Sequence, residues 1–62
     1  GIIVATDSKI YRSPDLGMPF LEISQSFRGI RDVAASGANI IVLDEQGAHV
    51  STDNGTVFSL LP

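Results

Sequence analysis

The 62-residue chain contains no cysteine and no tryptophan, and it has only four lysine and arginine residues. The lack of cysteine excludes disulfides, and one histidine among scattered carboxylates has no ligand spacing that suits a structural metal. Seven acidic residues against four basic ones give a net charge of -3, which disfavours binding to a phosphate backbone. We therefore expect no cofactor, no metal and no nucleic-acid partner.

Long apolar runs are also missing. The longest, at 2–5, 40–43 and 57–61, reach four or five residues, whereas a membrane-spanning helix needs about 20. We expect no membrane segment. A chain of this length buries only about 60% of the surface that its unfolded form exposes. Without disulfides or a metal, it should draw its stability from neighbouring protein.

The chain does contain an internal repeat. The shift that carries Ser13 onto Ser51 aligns 1–24 with 39–62 without a gap, and seven positions are identical. Three of the identities form the run Ile-Ile-Val at 2–4 and 40–42, and four lie in the octapeptides 13–20 and 51–58. A repeat of about 20 to 50 residues is typical of stacked or radially arranged units.

Each unit is predicted to consist of short strands separated by turn residues. The first unit supplies three strands and the second supplies four, at 2–5, 9–12, 20–24, 30–35, 39–43, 48–51 and 57–61. Such strands, about 8 to 12 residues apart, are typical of all-β sandwiches and propellers. An alternative places 1–5 and 39–43 as parallel strands joined by a crossover helix. That helix would contain Gly29, at a cost of about 1 kcal/mol relative to alanine, and would leave the repeat unexplained.

The two octapeptides share the pattern Ser-x-Asp-x-Gly-x-x-Phe. A serine hydroxyl and an aspartate carboxylate two residues apart can both accept backbone N–H groups within a tight turn. The glycine permits a positive φ, and the phenylalanine returns to a strand and should pack beneath the turn. We assign this role to the eight shared residues: Ser13, Asp15, Gly17, Phe20, Ser51, Asp53, Gly55 and Phe58.

This pattern resembles the Asp box, or BNR repeat, of sialidases and other β-propellers. The stretch from Phe27 to the second octapeptide is also similar to blades of sialidase-like and photosystem-assembly-factor-like propellers, which occur in phage virion proteins too. The resemblance implies an all-β fragment of about one and a half four-stranded blades. Residues 1–24 would form the last three strands of one blade, and 25–62 a complete blade. In those families the box lies on the blade periphery, which implies a structural role.

Four further side chains are of a type that could act in a functional site. Sialidase-like enzymes hold a substrate carboxylate with arginines, so Arg28 and Arg31 are candidate ligand contacts, although the sequence Phe-Arg-Gly-Ile-Arg departs from the family's Phe/Tyr-Arg-Ile-Pro motif. We expect solvated or ion-paired arginines. His49 is predicted on a partly exposed strand face, and Asp44 in a solvated acidic turn. We assign none of these residues a catalytic role.

The expected function is that of a binding or assembly scaffold. The chain would be a segment of a larger propeller, of a virion component for example, with the remaining blades or a larger complex as partners and a protein or glycan as ligand. The alternative is a fragment of a sialidase-type glycoside hydrolase whose catalytic residues lie in other blades. Fold-level resemblance does not by itself identify an activity.

Overall fold

The computed structural model describes residues 2–13 and 19–61, and within them every regular element is a β-strand. The seven strands are β1 (Ile2–Ala5), β2 (Ile10–Ser13), β3 (Leu21–Glu22), β4 (Asp32–Ser36), β5 (Asn39–Asp44), β6 (Gly47–Ser51) and β7 (Ser59–Leu60). The all-β prediction is confirmed. The described residues include no helix with the length and apolar character that crossing a bilayer requires.

The strands form two antiparallel sheets in simple chain order. Sheet I has the order β1-β2-β3 and sheet II the order β4-β5-β6-β7. The crossover alternative is wrong, because β1 and β5 lie in different sheets and the segment between them contains β4. The repeat is visible in the strands themselves, since the shift that relates the two units carries β3, at 21–22, onto β7, at 59–60.

The first predicted residues of β4 and β7 lie outside these strands, because they form other hydrogen bonds. β4 begins at Asp32 rather than Ile30, whose amide donates to the Asp7 carbonyl at 2.8 Å. β7 begins at Ser59 rather than Val57, whose amide donates to the Asp53 carboxylate at 3.1 Å. In both cases the competing bond fixes a connection between strands.

Each sheet has two faces, which its register defines because directly opposed residues share a face. We call forward the face that carries Ile3, Ala5, Ile10 and Ile23 in sheet I, and Ile41, Leu43, Ala48 and Leu61 in sheet II. The opposite, rear face carries Ile2, Val4, Tyr11 and the adjoining Phe20 in sheet I, and Ile40, Val42, His49 and the adjoining Phe58 in sheet II.

The hydrophobic core lies where the forward face of sheet I packs on the rear face of sheet II. Its buried members are Ile10 and Ile23 from sheet I, Ile40 and Val42 from sheet II, and Phe27 from the connection. β1 lies against β4. The connection is held to the β1–β2 turn by two hydrogen bonds, from the Phe27 amide to the Ser8 carbonyl at 2.9 Å and from Ile30 to Asp7. These bonds fix the position of one sheet relative to the other.

Candidate functional site

The second octapeptide forms the turn between β6 and β7 around the side chain of Ser51. The Ser51 hydroxyl donates to Oδ1 of Asp53 at 2.7 Å and accepts the Gly55 amide at 2.9 Å. Asp53 Oδ1 also accepts the Val57 amide at 3.1 Å. Two side chains therefore satisfy amide groups that the turn leaves without strand partners, as the pattern predicts.

The Asp53 carboxylate remains ionised in this turn. The hydrogen bond from the Ser51 hydroxyl, followed by that from the Val57 amide, holds the pKa of Asp53 below its ordinary value of 3.8. Oδ1 of this carboxylate accepts from its own turn, which suits Asp53 to holding the backbone.

Gly55 allows this turn to pack against sheet I. Its φ is +91°, and a Cβ placed on it would lie 2.8 Å from Cδ1 of the buried Ile23. The neighbouring Asn54, also at positive φ, donates its amide to the Ala38 carbonyl of the β4–β5 turn at 2.9 Å. The β6–β7 turn thus contacts sheet I and is also bonded to the β4–β5 turn of its own sheet.

The two phenylalanines of the repeat differ in their surroundings. Phe58 is half-buried, and its ring meets that of Phe27 edge to face at a centroid distance of 5.2 Å. Phe20, at the equivalent position, is 47% exposed beside Val4 and Tyr11. The prediction that Phe20 is a buried plug is therefore wrong in this chain, because no described strand covers the rear face of sheet I.

The first octapeptide is described only at its ends. Ser13 is buried, as Ser51 is, at the equivalent position of β2. Asp15 and Gly17 lie outside the described residues, and so does the prediction that the two octapeptides superpose.

His49 and Asp44 form a buried pair, although the sequence pattern predicted both on the surface. They are 5% and 6% exposed, and Nε2 of His49 lies 2.9 Å from Oδ1 of Asp44. The Arg28 amide donates to Oδ2 at 3.0 Å and the Gln46 amide to Oδ1 at 2.9 Å. Both predictions were wrong because the rear face of sheet II, where these residues lie, is the face that sheet I covers.

Hydrogen bonding determines the charge of this pair. Burial by itself would raise the pKa of the Asp44 carboxyl, but the bonds from the Arg28 amide, the His49 ring and the Gln46 amide bring that pKa below 3.8. Because an ionised carboxylate can only accept, His49 donates from Nε2. The Phe27 and His49 rings pack in a T-shaped arrangement at a centroid distance of 5.1 Å. The arrangement fixes the connection between the sheets to the β5–β6 turn.

Arg28 and Arg31, the candidate ligand contacts, are both exposed. Arg31 lines an open depression together with Asp7 and Asp32, between the β1–β2 turn and the start of β4. Among the described residues, Arg28 does not line that depression, and its contact with Asp44 uses the backbone amide. The depression therefore has Arg31 on its wall but not Arg28.

A larger cleft of about 490 Å³ opens between the sheets, beside the second octapeptide turn. Its walls include Arg12, Glu22 and Ile23 from sheet I and Asn54 to Thr56 from the turn. Nη2 of Arg12 donates to the Gly37 carbonyl, so this side chain ties β2 to the β4–β5 turn. Within the described part of the chain, no three histidine or acidic side chains are grouped to hold a metal ion.

No family model matches this chain, and searches of the curated proteins and of the solved structures also gave no match. The resemblance to Asp-box repeats therefore remains a prediction from the sequence of the two octapeptides and their spacing.

Proposed function

We propose that the chain is a segment of a larger β-propeller that serves as a structural and binding scaffold for protein or glycan interaction, or for assembly of a complex such as a virion. The remaining blades of that propeller, or subunits of the complex, are its immediate partners. The Asp-box residues are structural, and ligands would be bound by exposed loops.

The observation that carries this proposal is the repetition of strand positions together with the packing of the sheets. The shift that carries Ser13 onto Ser51 also relates β1, β2 and β3 to β5, β6 and β7, and the forward face of one unit lies on the rear face of the next. Units that each cover the next in the same orientation form extended arrays or closed rings. A ring of four-stranded units is a propeller.

The polar groups of the second turn also support a scaffold role. Ser51 and Asp53 bind each other and backbone amides, and the buried Asp44 binds the amides of two connections. Each of these groups holds chain segments together. This use of polar groups favours a scaffold over a catalytic site.

Size-exclusion chromatography with circular dichroism on the isolated chain tests the proposal. We expect a poorly folded or self-associated species, because a segment of a ring exposes strand edges and sheet faces that other units would cover. A compact monomer that melts cooperatively would overturn the fragment interpretation. A sialoside hydrolysis assay on the natural polypeptide that contains the segment would separate the scaffold from the glycoside hydrolase alternative.

A further inference from the structure

Two sheet faces are apolar, and no element among residues 2–13 and 19–61 covers them. The forward face of sheet II presents Ile41, Leu43 and Leu61, which are 45%, 42% and 51% exposed. The rear face of sheet I presents Val4 and Phe20, 46% and 47% exposed, beside a shallow depression that Tyr11 also lines. Contiguous exposed apolar patches on a small protein mark interaction surfaces.

The internal interface shows what would fit these faces. Within the chain, the forward face of sheet I, with Ile3, Ala5, Ile10 and Ile23, lies on the rear face of sheet II, which carries Val42, His49 and Phe58. Phe27 of the connection packs on the His49 and Phe58 rings. The repeat equivalents of the first set are Ile41, Leu43, Ala48 and Leu61, and those of the second are Val4, Tyr11 and Phe20. The two uncovered faces are thus the repeat equivalents of the two faces already in contact, apart from the contact with Phe27, whose equivalent position precedes Gly1.

From this equivalence we infer that the forward face of sheet II binds the rear face of sheet I of a second copy of this chain, head to tail. The inference rests on the proposed function, in the form in which subunits of a complex cover the free faces, and it names a second copy of this chain as that subunit. Such an interface is heterologous, because different patches meet, so association can continue beyond a dimer. Pairing of two identical faces would instead stop at two copies.

The test blocks each face separately. Leu43→Lys places a charge on the forward face of sheet II, and Val4→Lys places one on the rear face of sheet I. Val57→Lys is the control, since Val57 is apolar and 62% exposed in the β6–β7 turn, outside the strands that form both faces. Native mass spectrometry and sedimentation velocity would measure the assembly state of each variant, and circular dichroism its strand content.

We expect the wild-type chain and the Val57→Lys variant to associate beyond dimers. Each face variant alone should lose this growth, with its apparent dissociation constant raised at least about tenfold. An equimolar mixture of the two face variants should form a one-to-one heterodimer, because each supplies the face that the other lacks. Recovery of strand signal in the mixture covers the case in which a single variant does not fold alone.

Three results would overturn the inference while leaving the scaffold proposal in place. One is a Val4→Lys variant that still dimerises while Leu43→Lys does not, which indicates pairing of identical faces. Another is growth that neither variant affects, which indicates pairing of strand edges. The third is a mixture that forms no heterodimer. A compact wild-type monomer would contradict the scaffold proposal as well.

Discussion

Two adjacent isoleucines in β5 provide a direct test of which sheet face is covered. Ile40 is fully buried on the rear face, whereas Ile41 is 45% exposed on the forward face. Replacing each with alanine makes the same chemical change in the same strand. The effect on β-propensity is thus closely matched, and the difference in unfolding free energy reports mainly the burial of the side chain.

The size of the effect follows from the carbon atoms removed. Isoleucine to alanine removes the equivalent of about three methylene groups, each worth about 0.8 kcal/mol when fully buried. At Ile40 a cavity is added, and the total should fall within about 2–5 kcal/mol. At Ile41 nearly half of the side chain is already in water and no closed cavity forms, so we expect about 1 kcal/mol.

Urea denaturation followed by circular dichroism measures both values, with wild type and variants at equal protein concentration because association shifts apparent stability. If Ile40→Ala does not fold, Ile40→Val should cost about 0.5–1.5 kcal/mol and Ile41→Val less. Equal sensitivity at the two positions would refute the assignment of faces. If the cost at Ile41 increases with protein concentration, a second copy covers that side chain.

Two further predictions concern the turns. Gly55→Ala should destabilise the chain more than Gly37→Ala, as measured by urea denaturation, and an equal loss would contradict this. Both glycines have positive φ, which an alanine adopts at a cost of about 1–2 kcal/mol. A Cβ at Gly37 meets open space, so we expect no further cost there, whereas at Gly55 it would contact Ile23, which adds about 1–3 kcal/mol. Folding lowers the pKa of Asp44, so its ionised carboxylate should add fully to the free energy of unfolding above pH 3.8, and this contribution should be lost as the pH falls through the lowered pKa. Thermal melts from pH 6 to pH 2 (about the range in which carboxyls titrate) should show this loss in wild type and a smaller one in Asp44→Asn; identical profiles would contradict it.

Strand positions could be predicted from the sequence because local signals specify them. The Ile-Ile-Val runs and the turn residues around them placed all seven strands, with errors at ends such as Ile30 and Val57. Those errors arise from hydrogen bonds outside the strand ladders, to Asp7 in the case of Ile30. A bond to such a distant partner depends on tertiary arrangement and has no local pattern.

The buried pair could not be predicted in the same way, although a partial signal exists. Asp44 follows Ile40 and Val42 at intervals of two, which places all three on one face of β5, and His49 lies opposite Val42 in the register. Ile41 and Leu43 make the other face apolar as well. Because both faces of β5 are apolar, the alternation does not show which of them is covered, and so a histidine and an aspartate on the covered face were assigned to the surface.

Phe20 and Phe58 show that burial here depends on neighbouring units more than on residue type. They are identical residues at equivalent positions, yet Phe58 packs against Phe27 from the connection while Phe20 stays 47% exposed. The repeat that carries Phe58 back to Phe20 would carry Phe27 back to a position before Gly1. This sequence therefore does not contain a partner for Phe20 that is equivalent to Phe27. In a repeat array each added unit contributes both its own contacts and one further interface. Two units share one interface, so an array that supplied a partner to each free face would add two more, and stability should rise faster than chain length.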